Sequence, residues 1–304
     1  MTSFRMISAM ALGLIVAITT TSNAQDTKKF SELVGPVGVQ DVKATDPLVV
    51  PYITWGGESA TFYANGTSLT TKDGSIYNKL GLNLKLTNGD DFIAQVRDYL
   101  SGKTPFLRGT YRMVGQASEV LGADPRTKPV VILQLSWSAG DHIVSRKEVK
   151  TLNDLKGKTI ACQQGGPHVG LLYDALRAAQ LTKDDVTIKW VTDLSGANGP
   201  AALMRRDKTV DACCVITPDM EGLTGGLDKT GSGAEGTVEG AHVVVSTAQM
   251  SRSIADVYVV RSDFYKAHPD VVQKFVAGYV AGTEKVVALR KGYGETNRLE
   301  GDYK

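Results

Sequence analysis

The chain has 304 residues, with 34 basic and 32 acidic side chains and a net charge of +2 at neutral pH. This balance of charge gives no reason to expect a nucleic-acid partner. Three cysteines are too few for a disulfide-stabilised scaffold, whereas the length is sufficient for two domains of ordinary size.

The first 24 residues have the pattern of a secretory signal peptide. Arg5 precedes an apolar run at 6–18, and Ser22 and Ala24 are the small residues that a signal peptidase recognises. We expect cleavage after Ala24 and a periplasmic protein, since no later segment is apolar enough to cross a membrane. Residues 25–46 have no clear period and predict a linker or a loosely held N-terminal arm.

From residue 48 onward, the pattern predicts strands that alternate with helices. In the first series the expected strands are 48–55, 82–86, 105–111 and 130–135, and the helices are 60–65 and 90–100. In the second series, which starts at Lys150, the expected strands are 158–162, 186–191, 210–216, 241–245 and 257–260, and the helices are 151–158, 168–179, 199–206 and the C-terminal stretch from 262. A glycine-rich surface loop is expected over 222–240. This alternation predicts an α/β fold of two similar lobes, each a mainly parallel sheet flanked by helices.

A glycine turn at 163–168 stands between a predicted strand and a predicted helix. Gly165 and Gly166 would let a ligand approach the backbone, and the free N–H groups of a helix that begins at His168 favour an anion. A plain strand-to-helix turn is the alternative. Because similar turns follow the other strands, at 56–59, 109–110, 194–196 and 217–219, we expect them to converge on one cleft between the lobes.

The residue types that carry catalysis are poorly placed for it. No two of the four histidines are three or four residues apart and there is no CxxC, so neither a metal nor another cofactor is expected. Cys162, Cys213 and Cys214 lie in apolar strand-like runs and are expected to be buried packing residues. A pair of one cysteine with His168, in an exported enzyme, is the alternative.

The sequence leaves the charge of a ligand open. Helix N-termini favour an anion, whereas Trp55 beside Glu58 and Trp137 beside Asp141 suit a cationic or heterocyclic ligand. Packing at the edges of the lobes is the alternative role of both tryptophans.

Three segments resemble the periplasmic substrate-binding proteins of ABC transporters, in the group that serves nitrate, sulfonates, taurine and thiamine-precursor pyrimidines. They are TLNDLKGKTIACQQGGPHVGLLYDALRAAQLTKDDVTIKWV from residue 151, AALMRRDKTVDACCVITPD from residue 201 and SIADVYVVRSDFYKAHPDVVQKFV from residue 253. The resemblance runs in the correct order from about Leu48 to the end.

The resemblance implies the two-lobed periplasmic binding protein-like fold of type II, with a hinge between the lobes. Lobe 1 would comprise 47–137 plus 256–304, and lobe 2 would comprise 138–255. It also implies a non-enzymatic protein that captures a small polar organic or oxyanion solute and delivers it to an inner-membrane ABC permease. A ligand-sensing module for a receptor is a further alternative.

The same resemblance places the ligand-binding positions in the turns described above. They are Trp55, Gly56, Gly57, Glu58, Ser59, Gly109, Thr110, Ser138, Gly140, Asp141, Gly165, Gly166, His168, Ser195, Gly196, Thr217 and Asp219.

Overall fold

A computed structural model describes residues 28–42, 45–250 and 252–300, with side chains described as far as 293. The predicted signal peptide and its cleavage site after Ala24 lie outside these residues. Within the described ranges, no helix combines the length and the apolarity needed to cross a bilayer.

The first half of the chain alternates short helices with strands. Its elements are α1 (Phe30–Val34), β1 (Leu48–Tyr52), α2 (Ser59–Ala64), α3 (Ile76–Lys79), β2 (Leu84–Asn88), α4 (Phe92–Leu100), β3 (Phe106–Thr110), α5 (Tyr111–Gln116), α6 (Ser118–Leu121) and β4 (Pro129–Ser138). The strands follow the predicted order. The short helices α1, α3, α5 and α6 were not predicted, because segments of four to six residues are too short to show a helical period.

The second half has the predicted strands and two longer helices. Its elements are β5 (Asp141–Ser145), β6 (Thr159–Gln163), α7 (His168–Ala178), β7 (Thr187–Val191), α8 (Pro200–Arg206), β8 (Ala212–Ile216), α9 (Thr217–Thr224), β9 (His242–Ser246), β10 (Ile254–Arg261), α10 (Ser262–Ala267) and α11 (Pro269–Glu300). The helix expected at 151–158 is a single 3₁₀ turn, Leu152–Leu155. The glycine-rich loop begins later than expected, because α9 continues to Thr224 and ends at Gly225, whose φ of 84° suits glycine.

The ten strands of the described ranges form three sheets. β1 pairs with β2, β3 and β4 flank β10, and the third sheet has the order β7-β6-β8-β5-β9. The expected parallel pairing is found between β1 and β2, between β6 and β7 and between β6 and β8. Other pairs are antiparallel, notably β10 with β4, because β4 leads out to the five-stranded sheet and β10 returns beside it in the opposite direction.

Among the described residues, four clusters of apolar side chains form the cores, two in each lobe. We use "lobe 1" for the elements packed on the two smaller sheets, including α11, and "lobe 2" for those packed on the five-stranded sheet. Phe92, Leu84 and Phe275 belong to cores of lobe 1. Lobe 2 has a core on each face of its sheet, with Cys214 on one face and Cys213 on the other, as alternation along β8 requires. The predicted boundaries, 47–137 plus 256–304 and 138–255, stay a prediction.

The segment that precedes β1 is packed against lobe 1 and is not loosely held. Phe30 and Val34 of α1 are buried in the same core as Phe92, and the rings of Phe30 and Phe92 meet edge to face at 6.2 Å. Arg97 fixes the end of α1 by donating hydrogen bonds of 2.7 Å to the carbonyls of Leu33 and Val34. The polar composition of 25–46 concealed these two apolar anchors.

Candidate functional site

A cavity of about 640 Å³ lies between the two lobes. Lobe 1 contributes Thr54, Trp55, Asn88, Asp90, Asp91, Phe92, Ile93 and Met113, and lobe 2 contributes Gln163, Gln164, Gly165, Gly166, Thr192, Asp193, Leu194, Ser195 and Ile216. Most of these residues follow the carboxyl end of a strand or begin a helix. This is where α/β proteins place small-molecule sites.

A second cavity of about 260 Å³ adjoins the first, where the chain passes between the lobes. It is lined by Thr54, Trp55, Ser138, Gly140, Asp141, Ile216, Thr217, Pro218, Ile254 and Asp256. Thr54, Trp55 and Ile216 border both cavities. We refer to the two cavities together as the cleft.

The glycine turn at the start of α7 forms part of the cleft wall. Gly165 has a φ of +67°, which disfavours a residue with a side chain. A Cβ atom on Gly166 would lie 2.2 Å from Oε1 of Gln163, so this position has no room for one. Across the cleft, a Cβ on Gly165 would touch Phe30 and Ile93 at 3.4 and 3.6 Å. Gly165 therefore lets the turn of lobe 2 approach lobe 1 closely, and Gly166 leaves room for the side chain of Gln163.

Trp55 is positioned by the turn that follows β1. The Thr54 backbone N–H and hydroxyl each donate a hydrogen bond of 2.7 Å to the carboxylate of Asp90, which follows β2. This bridge joins the carboxyl ends of two parallel strands and holds Trp55 at the boundary between the two cavities. The indole Nε1 of Trp55 is buried and has no hydrogen-bond partner.

Glu58 lies beneath the cleft wall and lines neither cavity. Its carboxylate accepts hydrogen bonds from Arg108, from Thr61 at 3.0 Å and from Tyr258 at 3.2 Å. Arg108 is fully buried and also pairs with Asp256 at 3.3 Å. Burial acts to lower the pKa of Arg108, but Glu58 and Asp256 outweigh it and hold that pKa above its usual value. Arg108 thus ties the 56–58 turn to β3 and β10.

Asp141 forms a buried pair with His168. Its Oδ1 lies 2.7 Å from Nε2 of His168, and the two residues are 3% and 0% exposed. Burial acts to raise the pKa of Asp141, but the hydrogen bonds of its carboxylate with His168 and Ser138 more than offset this and the pKa is lowered. Oδ2 of Asp141 is buried and has no hydrogen-bond partner of good geometry. The Ser138 hydroxyl is nevertheless close enough to lower the pKa of Asp141.

His142 is the next residue of β5, and its side chain points to the opposite face of that strand. Its Nε2 lies 3.0 Å from the Thr217 hydroxyl, which connects β5 to the start of α9. Burial lowers the pKa of His142, and the nearby carboxylate of Asp141 opposes this effect only in part.

Eight of the predicted ligand-binding residues line the cleft. They are Trp55, Ser138, Gly140, Asp141, Gly165, Gly166, Ser195 and Thr217. Nine lie behind or beside it: Gly56, Gly57, Glu58, Ser59, Gly109, Thr110, His168, Gly196 and Asp219. The role of all seventeen in binding stays a prediction.

Packing explains the place of several residues behind the cleft. A Cβ on Gly56 would lie 2.9 Å from the Arg108 guanidinium, and one on Gly109 would lie 3.1 Å from the Phe92 ring. The Thr110 hydroxyl accepts a hydrogen bond from the Met113 N–H and caps α5. Trp137 is 46% exposed and lines neither cavity.

Sequence reasoning missed most of the remaining wall. The missed residues are Thr54, Asn88, Asp90, Asp91, Phe92, Ile93, Met113, Thr192, Asp193, Ile216, Ile254 and Asp256. Gln163, Gln164, Leu194 and Pro218 lie in turns that were expected to converge on the cleft. One signal was present for part of the set, because Asp91 stands directly before the apolar pattern of α4, where its carboxylate accepts from the Ala94 N–H.

Within the described part of the chain, no three histidine, cysteine or acidic residues are grouped as a metal site would require. Cys162, Cys213 and Cys214 are free and fully buried, and none of them lines the cleft. Contact with Cys214 and burial raise the pKa of Cys162, and burial raises that of Cys213. Cys162 and Cys213 are therefore not ionised, and none of the three thiols is accessible.

Three solved structures show the same fold as this chain. The aliphatic sulphonate binding protein SsuA of Escherichia coli is 16% identical, with 85% of this chain and 76% of that chain covered and a TM-score of 0.58. The alkanesulfonate-binding protein SsuA of Xanthomonas axonopodis pv. citri is 16% identical, with coverages of 84% and 79% and a TM-score of 0.59. The periplasmic nitrate-binding protein NrtA of Synechocystis PCC 6803 is 12% identical, with coverages of 80% and 63% and a TM-score of 0.54.

At this identity the likeness shows the fold, which is that of periplasmic binding proteins. No curated protein matches the chain by sequence. The family model described as NMT1/THI5 like matches residues 71–289, which is well over half of the chain. The chain belongs to the NMT1/THI5-like family.

Proposed function

We propose that this protein is the solute-binding component of an ABC importer. It captures a small polar organic or oxyanion solute between its lobes and delivers it to an inner-membrane permease. The observation that carries this proposal is the cleft, whose two cavities are lined by turns of both lobes at the ends of their strands.

Contacts across the cleft support capture by closure. Arg112 of lobe 1 pairs with Asp174 of lobe 2 at 2.5 Å, and the Gln116 amide donates to the Gly166 carbonyl at 3.3 Å. A solute that touches both walls has more contacts when the lobes are together. It therefore has a higher affinity for the closed arrangement, which is the condition for driving closure.

The proposed moving units are 47–137 plus 256–304 and 138–255. Only two segments of chain would have to bend, one between β4 and β5 and one near the start of β10. These two segments lie side by side, because Ser138 at the end of β4 pairs with Ile254 at the start of β10. We propose that the solute contacts the cleft-lining residues named above, with Trp55 at the centre of the wall.

The proposed location is the periplasm. The similar structures are periplasmic or sulfonate-binding proteins, and residues 1–24 have the pattern of an export signal. A permease in the inner membrane is the partner that this role requires.

The alternative of an exported enzyme with a cysteine nucleophile has less support. A nucleophilic thiolate has to reach the substrate, whereas Cys162, Cys213 and Cys214 are fully buried and line neither cavity. The pKa of Cys162 is also raised by contact with Cys214 and by burial, and that of Cys213 by burial. His168 is enclosed and bonded to Asp141. We therefore propose a carrier without catalytic residues.

The test begins with the solute. Freshly purified protein is denatured, the released small molecules are identified by mass spectrometry, and their affinity is measured by calorimetry. We expect one compound to bind and to reduce the radius of gyration in small-angle X-ray scattering. Trp55→Ala should weaken its binding, whereas Trp137→Ala, which removes an exposed indole outside the cleft, should not. Equal affinity in both variants, or chemical turnover of the compound, would overturn the proposal.

A further inference from the structure

The charged side chains that line the cleft are all acidic. Among the described residues, no lysine, arginine or histidine lines either cavity. Asp90, Asp91 and Asp193 line the larger cavity, and Asp141 and Asp256 line the smaller one. The whole chain has a net charge of +2. The negative charge of the cleft is thus a local feature of its walls.

Asp141 provides a second and independent observation. It is 3% exposed, it lines the smaller cavity, and its buried Oδ2 has no hydrogen-bond partner of good geometry. A buried carboxylate oxygen without a well-formed hydrogen bond is unfavourable, because the loss of water is only partly compensated. A donor of positive charge in this cavity would satisfy it.

Asp256 faces the same cavity from the other lobe. Its Oδ2 accepts a 2.5 Å hydrogen bond from Ser136, and its Oδ1 lies 3.3 Å from Arg108. Arg108 does not make the site attractive to anions, because it is fully buried and already pairs with Glu58 as well. The one guanidinium of Arg108 is thus shared by two carboxylates, those of Glu58 and Asp256.

Two features favour an anion or another acceptor: the N-terminus of α7, and the buried indole N–H of Trp55, which has no hydrogen-bond partner. A helix terminus is equivalent to about half of a positive charge, and it acts over a single turn. Asp91 caps α4 and Asp256 pairs with Arg108. By contrast, Asp90, Asp141 and Asp193 have no basic partner among the described residues that line the cleft, so the field in the cleft favours a cation.

The larger cavity adds an apolar wall to this field. Trp55, Phe92, Ile93, Met113 and Leu194 are among its lining residues, and Trp55 borders the smaller cavity as well. Aromatic faces beside carboxylates stabilise organic cations through both cation–π and apolar contact.

We propose that the solute is an organic cation, with its positive group between Asp141 and Asp256 and its organic part against Trp55 in the larger cavity. This inference rests on the proposed function and specifies its solute. Because Asp141 belongs to lobe 2 and Asp256 to lobe 1, one positive group that contacts both carboxylates also links the lobes.

The test compares charge at constant shape in the intact protein. Calorimetry measures the binding of butylamine and of butanol, of benzylamine and of benzyl alcohol, and of ethanesulfonate and nitrate, each up to millimolar concentration. We expect at least one amine to bind about tenfold or more tightly than its uncharged partner, since a hydrogen bond or contact to a charged group has that magnitude.

The variants locate the positive group. Asp141→Asn and Asp256→Asn should each lower the affinity for that amine about tenfold, and Asp184→Asn, which removes an exposed carboxylate far from the cleft, should not change it. The comparison of amines with their isosteres in the unaltered protein holds even if a variant fails to fold. Amine binding that is unchanged in both cleft variants would overturn the placement.

Two further outcomes separate this inference from the proposed function. Binding of ethanesulfonate or nitrate without binding of either amine would overturn the cation and leave solute capture intact. Binding of no probe, together with no compound released on denaturation, would overturn both.

Discussion

The guanidinium of Arg112 on α5 and the carboxylate of Asp174 on α7 form an ion pair of 2.5 Å that joins the two lobes. Gly170, one turn before Asp174, has no side chain, and a Cβ there would lie 2.4 Å from Cδ of Arg112. The arginine side chain therefore passes over the helix at the point where a larger residue would obstruct it.

The first prediction concerns this ion pair. Asp174→Asn should weaken solute binding about two- to fivefold, because the side chains of the pair are 37% and 35% exposed and an exposed pair contributes about 0.5–1 kcal/mol. Calorimetry at low and high salt checks this, since screening should reduce the difference between variant and wild type. Asp98→Asn breaks an ion pair within lobe 1 and should leave the affinity unchanged. A loss of affinity that is independent of salt would contradict the prediction.

A second prediction addresses the buried arginine beneath the cleft. Arg108→Leu should lower the free energy of unfolding by about 3–5 kcal/mol, because it leaves Glu58 and Asp256 as buried charges without their partner. Urea denaturation measures the change. Arg126→Gln, at an exposed pair with Asp124, serves as the control and should stay close to wild type. If Arg108→Leu is as stable as this control, the guanidinium does not join the 56–58 turn to β10.

The third prediction is a dependence of stability on pH through His142. Burial lowers its pKa in the folded state below the ordinary value of about 6.5, so the unfolded chain binds its proton more readily. The stabilisation is complete above about pH 6.5 and is lost as the pH falls from there through the lowered pKa. His142→Gln should remove this part of the slope, which is at most about 1.4 kcal/mol per pH unit. Urea midpoints between neutral and mildly acidic pH test it, and parallel curves for the two proteins would count against it.

The fourth prediction concerns the three thiols. Cys162, Cys213 and Cys214 are each 0% exposed, and a buried, un-ionised thiol reacts slowly. A thiol reagent should modify none of them quickly in the folded protein and all three after denaturation. Rapid labelling of the folded protein would contradict their burial, and a single free thiol after denaturation would show that two of them are paired.

The sequence determined the order of strands and helices and the position of several turns. The apolar runs of β4, β6 and β8 and the periodic faces of α4 and α7 are local patterns, and local patterns follow from the chemistry of neighbouring residues. The glycines at 165 and 166 indicated a wall of the cleft for the same reason, because a strand and a helix on either side can be predicted locally.

Only the tertiary structure decided which turn residues line the cleft. Glu58 and Asp90 both follow strand ends of lobe 1, yet Glu58 lies below the wall, because Arg108 reaches it from β3, fifty positions along the chain. Asp141 and Asp256 share a cavity because β4 and β10 run side by side in opposite directions. Such contacts depend on the pairing of distant strands, and no local period encodes that pairing.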